Sequence, residues 1–88
     1  VKGKDVAGKD VLDRLRRIEG QVRGVRRMVE ERRDCEAVLT QVMAARTALE
    51  GVAGRVVAAH IDECLASRPA DEARAAIVRA VALLGRVG

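Results

Sequence analysis

Between Asp34 and Ala66 the chain runs 33 residues, DCEAVLTQVMAARTALEGVAGRVVAAHIDECLA, without a proline. Apolar or small residues recur there at Val38, Val42, Ala45, Leu49, Val52, Val56 and Ala59, in steps of four and three that mark one face of a helix. A second stripe through Leu39, Met43, Ala53 and Val57 continues into His60 and Cys64. A helix of this length is unusual in a globular domain, and Gly51 and Gly54 are the places where it would bend or break. If it is continuous, Cys35 at its start and His60 near its end stand ~37 Å apart along the axis. Within one chain these two side chains do not meet. If a second copy of the helix packs antiparallel, Cys35 of one chain comes beside His60 and Cys64 of the other, and a C2 dimer carries two equivalent sites.

The rest of the chain is consistent with an all-α fold. Eighty-eight residues make one domain, residues 1–88, with no Phe, Tyr or Trp and a single proline. Such a short chain buries a small fraction of its surface, and oligomerisation is the expected remedy. No apolar run approaches the ~20 residues that span a bilayer, and no signal-type segment follows the basic N-terminus, so no membrane partner and a cytoplasmic location are expected. Two cysteines in a reducing compartment are thiols before they are a disulfide.

Charge is placed unevenly. Residues 1–33 carry eleven Lys/Arg against six Asp/Glu, whereas residues 34–88 carry six against seven. An electropositive first third suits a polyanion such as nucleic acid, although the same charges also suit an ordinary solvated helix face.

Residues 1–9 are polar and glycine-containing and read as a flexible arm. The first helix is expected over about 10–31, with Asp10 as its N-cap and an apolar seam at Val11, Leu15, Ile18, Val22, Val25 and Val29. Arg14, Arg16, Arg17, Arg23, Arg26 and Arg27 lie off that seam. Gly20 and Gly24 share a face, which points to close helix packing or to close approach of a ligand backbone. Asp34 is the expected N-cap of the second helix, over about 35–66. Cys35 then occupies the first turn, where free backbone N–H groups and the helix dipole favour negative charge. Ser67, Arg68 and Pro69 end that helix. A third, over about 71–86, has Ala73, Ile77, Val81 and Leu84 facing inward.

Cys35, His60 and Cys64 form a soft-to-borderline donor set that suits Cu(I) or Zn(II) better than Mg(II) or Ca(II). His60 and Cys64 lie one turn apart on one face, a spacing that clamps an ion and equally suits a core histidine beside a buried thiol. Three donors fit trigonal Cu(I), and no fourth for tetrahedral Zn(II) is evident. A Cys–His–acid enzyme assembled from Cys35, His60 and Glu63 or Asp62 lacks material for a pocket and oxyanion donors, so catalysis is not expected.

The run RLRRIEGQVRGVRRMVEE, then DCEAVLTQVMAARTAL, then HIDEC, resembles the copper-sensitive operon repressor family of bacterial DNA-binding proteins over residues 11 to about 66. The resemblance implies a three-helix protomer without a helix-turn-helix, an antiparallel dimer and a disc-like tetramer built as a dimer of dimers. It also implies an apoprotein that binds operator double-stranded DNA and an inducer that releases it. On that pattern the DNA contacts fall on Arg14, Arg16, Arg17 and Gln21, with Arg46 in support. A Cys–His–Cys set at Cys35, His60 and Cys64 is similar to that of the family's Cu(I) sensors. Nickel/cobalt sensors have His at the last position, and formaldehyde sensors lack the last Cys. Two positions depart from the copper branch: Asp34 stands where a Tyr commonly supports the site, and Arg79 stands near the position of a helix-3 Glu. An Asp-Cys pair is similar to the persulfide-sensing branch, whose two cysteines react with sulfane sulfur without the histidine. Cu(I) release of DNA is therefore the leading expectation. Persulfide chemistry on Cys35 and Cys64 is its rival, and a helical interaction module that binds no DNA is the alternative outside the family.

Overall fold

The structure, a computed structural model, describes residues 6–85. Three helices follow one another, α1 (Val6–Glu30), α2 (Cys35–Ser67) and α3 (Ala70–Leu84), and no strand occurs among the described residues. No helix among them is long and apolar enough to cross a membrane.

α1 starts earlier than the sequence suggests. Asp10 is not its N-cap, because the helix already runs from Val6, so residues 6–9 belong to α1 and the rest of the expected arm lies outside the described residues. Inside the helix, the Asp10 carboxylate accepts from Arg14 Nε one turn on, at 3.3 Å to each oxygen. It also meets Arg55 Nε of α2 at 3.2 Å. Those partners offset the weak helix preference of an aspartate.

The turn between α1 and α2 is fixed by backbone geometry. Arg33 N–H donates to Met28 O at 2.9 Å and Arg32 N–H to Val29 O at 3.1 Å. This is the paired 6→1 and 5→2 pattern of a Schellman ending. Arg32 takes the left-handed position with φ 57°, where a glycine is usual and an L side chain is strained. Asp34 then caps α2, its side chain accepting from Ala37 N–H at 3.2 Å. α2 continues unbroken through Gly51 and Gly54 to Ser67. Pro69 stands at the N-cap of α3, with Asp71 and Glu72 in the first turn, where negative charge suits the helix dipole. Gly85 closes α3, and residue 86 of the expected third helix lies outside the described residues.

α2 is the spine. α1 returns along it, α3 folds back on its C-terminal end, and α1 and α3 do not touch. The chain measures 54 × 26 × 12 Å, and its thinnest dimension holds about one helix layer. A single layer has no interior, and the buried apolar set is correspondingly small: Ile18, Ala45, Val52, Cys64, Ala73 and Ala76. The expected seams are therefore covered only in part. On α1, Ile18 is buried while Val22 and Val29 are exposed; on α2, Leu39, Val42, Met43 and Leu49 are exposed. α3 differs from expectation in phase. Ala73 faces in and Ile77 is half-buried, but Val81 and Leu84 are exposed and Ala76 takes the inward place. α3 crosses α2 by Ala73 and Ala76 over Cys64, with Ile77 packed beside them, whereas Val78, Val81, Leu83 and Leu84 are exposed.

Gly20 and Gly24 do not mark close packing within the chain. A Cβ at Gly20 would meet only Arg23 Nη2 at 3.7 Å, and one at Gly24 nothing within 4 Å.

The accessible surface is 6654 Å², where a compact monomer of 9.5 kDa exposes roughly 5,000 Å². The radius of gyration is 16.6 Å, against about 12 Å for a compact domain of this length.

Candidate functional site

The three donors expected from the sequence are carried by α2 alone. Its unbroken course puts Cys35 and Cys64 at opposite ends, ~43 Å apart along the axis. Among the described residues, no three His, Cys, Asp or Glu side chains gather into a metal-holding group within one chain.

The C-terminal end holds a pair. Cys64 Sγ lies 3.6 Å from His60 Nε2 and 3.8 Å from Nδ1. Two donors on one ion, with bonds of ~2.3 Å to sulfur and ~2.0 Å to nitrogen, stand roughly 3.5–3.7 Å apart at tetrahedral or trigonal angles. The separation falls in that range, while the near-equal distances to both ring nitrogens set the sulfur beside the ring and off the Nε2 lone-pair axis, so the imidazole must turn for both donors to meet one ion. Cys64 is 0% exposed, enclosed by Ala73 and Ala76 with Ile77 packed against the cluster, whereas His60 is half-buried. α3 is what encloses the sulfur, and the imidazole is the more open side of the pair.

The N-terminal end is the reverse. Cys35 is the first residue of α2 and is exposed. The tight ending of α1 and the Asp34 cap fix the backbone that carries it. The Asp34 carboxylate is engaged with Ala37 N–H, so its role in this chain is to start the helix beside Cys35.

The basic residues divide as well. Arg14, Arg17 and Gln21 line one groove of about 310 Å³ with Ile18 and Ala48. Arg16 is two residues, or 200° of helix rotation, from Arg14, and pairs with Asp13 at 3.1 Å outside that groove. Arg46 is exposed on α2 and faces Glu50 at 3.8 Å. Of the five residues expected at DNA, the structure therefore gathers three. Two that sequence reading passed over belong beside them, Asp10 and Arg55. The four-residue spacing of Asp10 and Arg14 was a visible signal for the first. Nothing local pointed to Arg55, whose partner is 45 positions away in sequence.

Residues 7–86 match the family described as metal-sensitive transcriptional repressor. The chain is 44% identical over 78 residues to the copper-sensing transcriptional repressor RicR of Mycobacterium tuberculosis (strain ATCC 25618 / H37Rv), a match covering 77% of this chain and 81% of the relative. It is 43% identical over 56 residues to the copper-sensing transcriptional repressor CsoR of Bacillus subtilis (strain 168), covering 64% of this chain and 55% of that one. Among solved structures, the nickel-responsive transcriptional regulator InrS superposes with a TM-score of 0.78 at 38% identity, over 86% of this chain and 90% of InrS. Two helices packed on a long α2, a His–Cys pair 3.6 Å apart and a family match that spans nearly the whole chain agree, and the chain belongs to the metal-sensitive transcriptional repressor family.

Proposed function

We propose that this chain is a Cu(I)-responsive repressor, which holds operator double-stranded DNA as apoprotein and releases it when Cu(I) binds Cys35 of one chain together with His60 and Cys64 of another. The observation that carries the reading is the 3.6 Å spacing of His60 Nε2 and Cys64 Sγ at one end of a helix whose other end presents an exposed Cys35. Two thiolates and one imidazole are a soft set that favours Cu(I). Similarity to two copper-sensing relatives supports the same ion. The nickel-responsive neighbour makes Ni(II) the comparison ion, and a site in which two of three donors are sulfur is the softer choice.

A second copy is what completes the site. The single-layer shape, a surface about 1,600 Å² larger than that of a compact monomer, and the exposed Leu39, Val42, Met43 and Leu49 of α2 all support an antiparallel dimer through α2. A standard stable interface buries about 800 Å² on each partner, so the excess on one chain is enough for such a contact. Dimers pairing further into a tetramer is the assembly we propose, in the cytoplasm. DNA binding is assigned to the groove of Arg14, Arg17 and Gln21, and catalysis is not part of the reading, because Cys35 and His60, the thiol and base such an enzyme would need, stand far apart along α2.

Anaerobic Cu(I) titration of the full chain, followed by gel shift with the protein's own upstream DNA, tests the reading. One Cu(I) per protomer and loss of the shifted band are expected. A lower stoichiometry, or unchanged DNA affinity after loading, would sink it. The persulfide rival predicts instead that polysulfide treatment links Cys35 and Cys64 of two chains through a tri- or tetrasulfide, which intact-mass spectrometry reads directly.

A further inference from the structure

Arg55 and Asp10 form the only ion pair between α1 and α2 among the described residues. The same Asp10 carboxylate takes Arg14 Nε against both of its oxygens, at 3.3 Å each, and Arg55 Nε at 3.2 Å. Both arginines approach by Nε. Arg14 also lines the groove with Arg17 and Gln21, so the guanidinium that holds Asp10 through Nε belongs to the groove's wall. A guanidinium is a planar fork whose recognition depends on its plane as well as its charge. A single N–H shared between two carboxylate oxygens ties the guanidinium to Asp10 and narrows the orientations open to it. All three side chains are between about a third and a half exposed, so solvent screening leaves the cluster little to contribute to stability. Its effect is geometric.

We propose that Asp10 is a positioning residue for DNA recognition: anchored to α2 through Arg55, it narrows the orientations in which the Arg14 guanidinium meets DNA. The inference rests on the assignment of the Arg14 groove to DNA. Asp10 itself is an anion and repels phosphate, so its presence lowers non-specific attraction while it sharpens the oriented contact. Removing it therefore separates two quantities that ordinarily move together. Non-specific affinity, which follows net charge and counterion release, holds or rises. Preference for the specific sequence, which follows the oriented contact, falls.

The experiment uses the full-length apoprotein, a duplex selected by the wild-type protein from a random-sequence pool, and a scrambled duplex of equal length, compared by fluorescence anisotropy at fixed salt. Asp10→Asn is expected to lower the ratio of selected to scrambled affinity about tenfold, with scrambled binding no weaker than wild type. Asp10→Glu keeps the charge and is expected to recover part of the ratio. Arg55→Gln releases the α2 anchor and leaves the Asp10–Arg14 contact, so a drop of about threefold is expected. In an Arg14→Ala background, Asp10→Asn should change the ratio no further. A merely structural role would weaken both duplexes together and persist in that background, and either result would overturn the proposal. Should Asp10→Asn lose helix content by circular dichroism, Arg55→Gln carries the test, and an unchanged ratio there is equally fatal. Arg14→Ala with wild-type affinity for the selected duplex would instead overturn the DNA assignment of the groove, a failure distinct from that of Asp10.

Discussion

The two ends of α2 carry the same side chain in opposite circumstances. Cys35 stands exposed on a first turn that is pinned from behind by the Schellman ending of α1 and the Asp34 cap. Cys64 has no exposed surface and lies between His60 and the small residues of α3. One end presents a donor to whatever approaches, and the other holds a pair already at ligand spacing. The difference teaches how a sensor of this size divides its labour. The enclosed sulfur is held in place by folding, so an ion that binds it has less ordering to supply there than at the open end. In the proposed assembly, the open thiol is the part that a second chain brings. Because Ala73 and Ala76 lie on Cys64, anything that moves its sulfur also moves α3.

Removing either sulfur gives the largest expected effect. Loss of a partner that merely supports a metal ligand costs 10–100-fold in affinity, so Cys35→Ser or Cys64→Ala should weaken Cu(I) binding more than about 100-fold in competition against a chromogenic Cu(I) chelator. The two variants should nevertheless part company in the metal-free protein. Cys64→Ala removes an atom from the buried cluster that joins α3 to α2 and should lower the melting temperature, whereas Cys35→Ser changes an exposed side chain and should leave it within error. Equal melting shifts would erase the contrast between the ends.

Thiol labelling of the apoprotein comes next in size. Alkylation of Cys64 waits on opening of α3, a local unfolding with its own free-energy cost, while Cys35 needs none. Iodoacetamide followed by peptide mass spectrometry should show Cys35 reacting at least ~10-fold faster. Replacing Ala76 by Asp, which drives a charge into the α2–α3 contact, should narrow that gap from the Cys64 side. Comparable rates in the unmodified chain would mean that α3 does not seal the sulfur.

Periodicity made α2 and its two stripes legible, and cap chemistry made its start legible at Asp34, because a single oxygen on a single N–H is a local event. The candidate donors His60 and Cys64 stood out for the same reason, being rare side chains at helical spacing, and the structure sets them 3.6 Å apart. What lay beyond reading was the choice of face. Val81 and Leu84 are larger and more apolar than Ala76, and hydrophobicity alone puts them inside; α3 instead buries Ala73 and Ala76 over Cys64, with Ile77 packed beside them. Asp10 misled in a different way. An aspartate ahead of an apolar run has the look of a cap, and the interhelical contact with Arg55 that gives it another role cannot be seen before the helices are placed. Arg16 likewise belongs to the same basic run as Arg14 and Arg17 but points away from their groove.

The smallest expected effect probes the open end. Arg32 occupies the left-handed position of the α1 ending at φ 57°, where an L residue is disfavoured by roughly 1–2 kcal/mol and glycine is not. Glycine also gains freedom in the unfolded chain, which returns part of that difference. Arg32→Gly should therefore stabilise the protein by about 0.5–1 kcal/mol, a rise of a few degrees in melting temperature, measured at equal protein concentration because assembly shifts the midpoint. Asp34→Ala should move it the other way by about 1 kcal/mol. If Arg32→Gly destabilises instead, the turn has an arrangement other than the Schellman ending, and the fixed presentation of Cys35 goes with it. A turn that tightens with glycine, beside a Cu(I) affinity that holds, would show that the exposed thiol is positioned by backbone alone, in contrast to the enclosed one, which is positioned by the packing of a neighbouring helix.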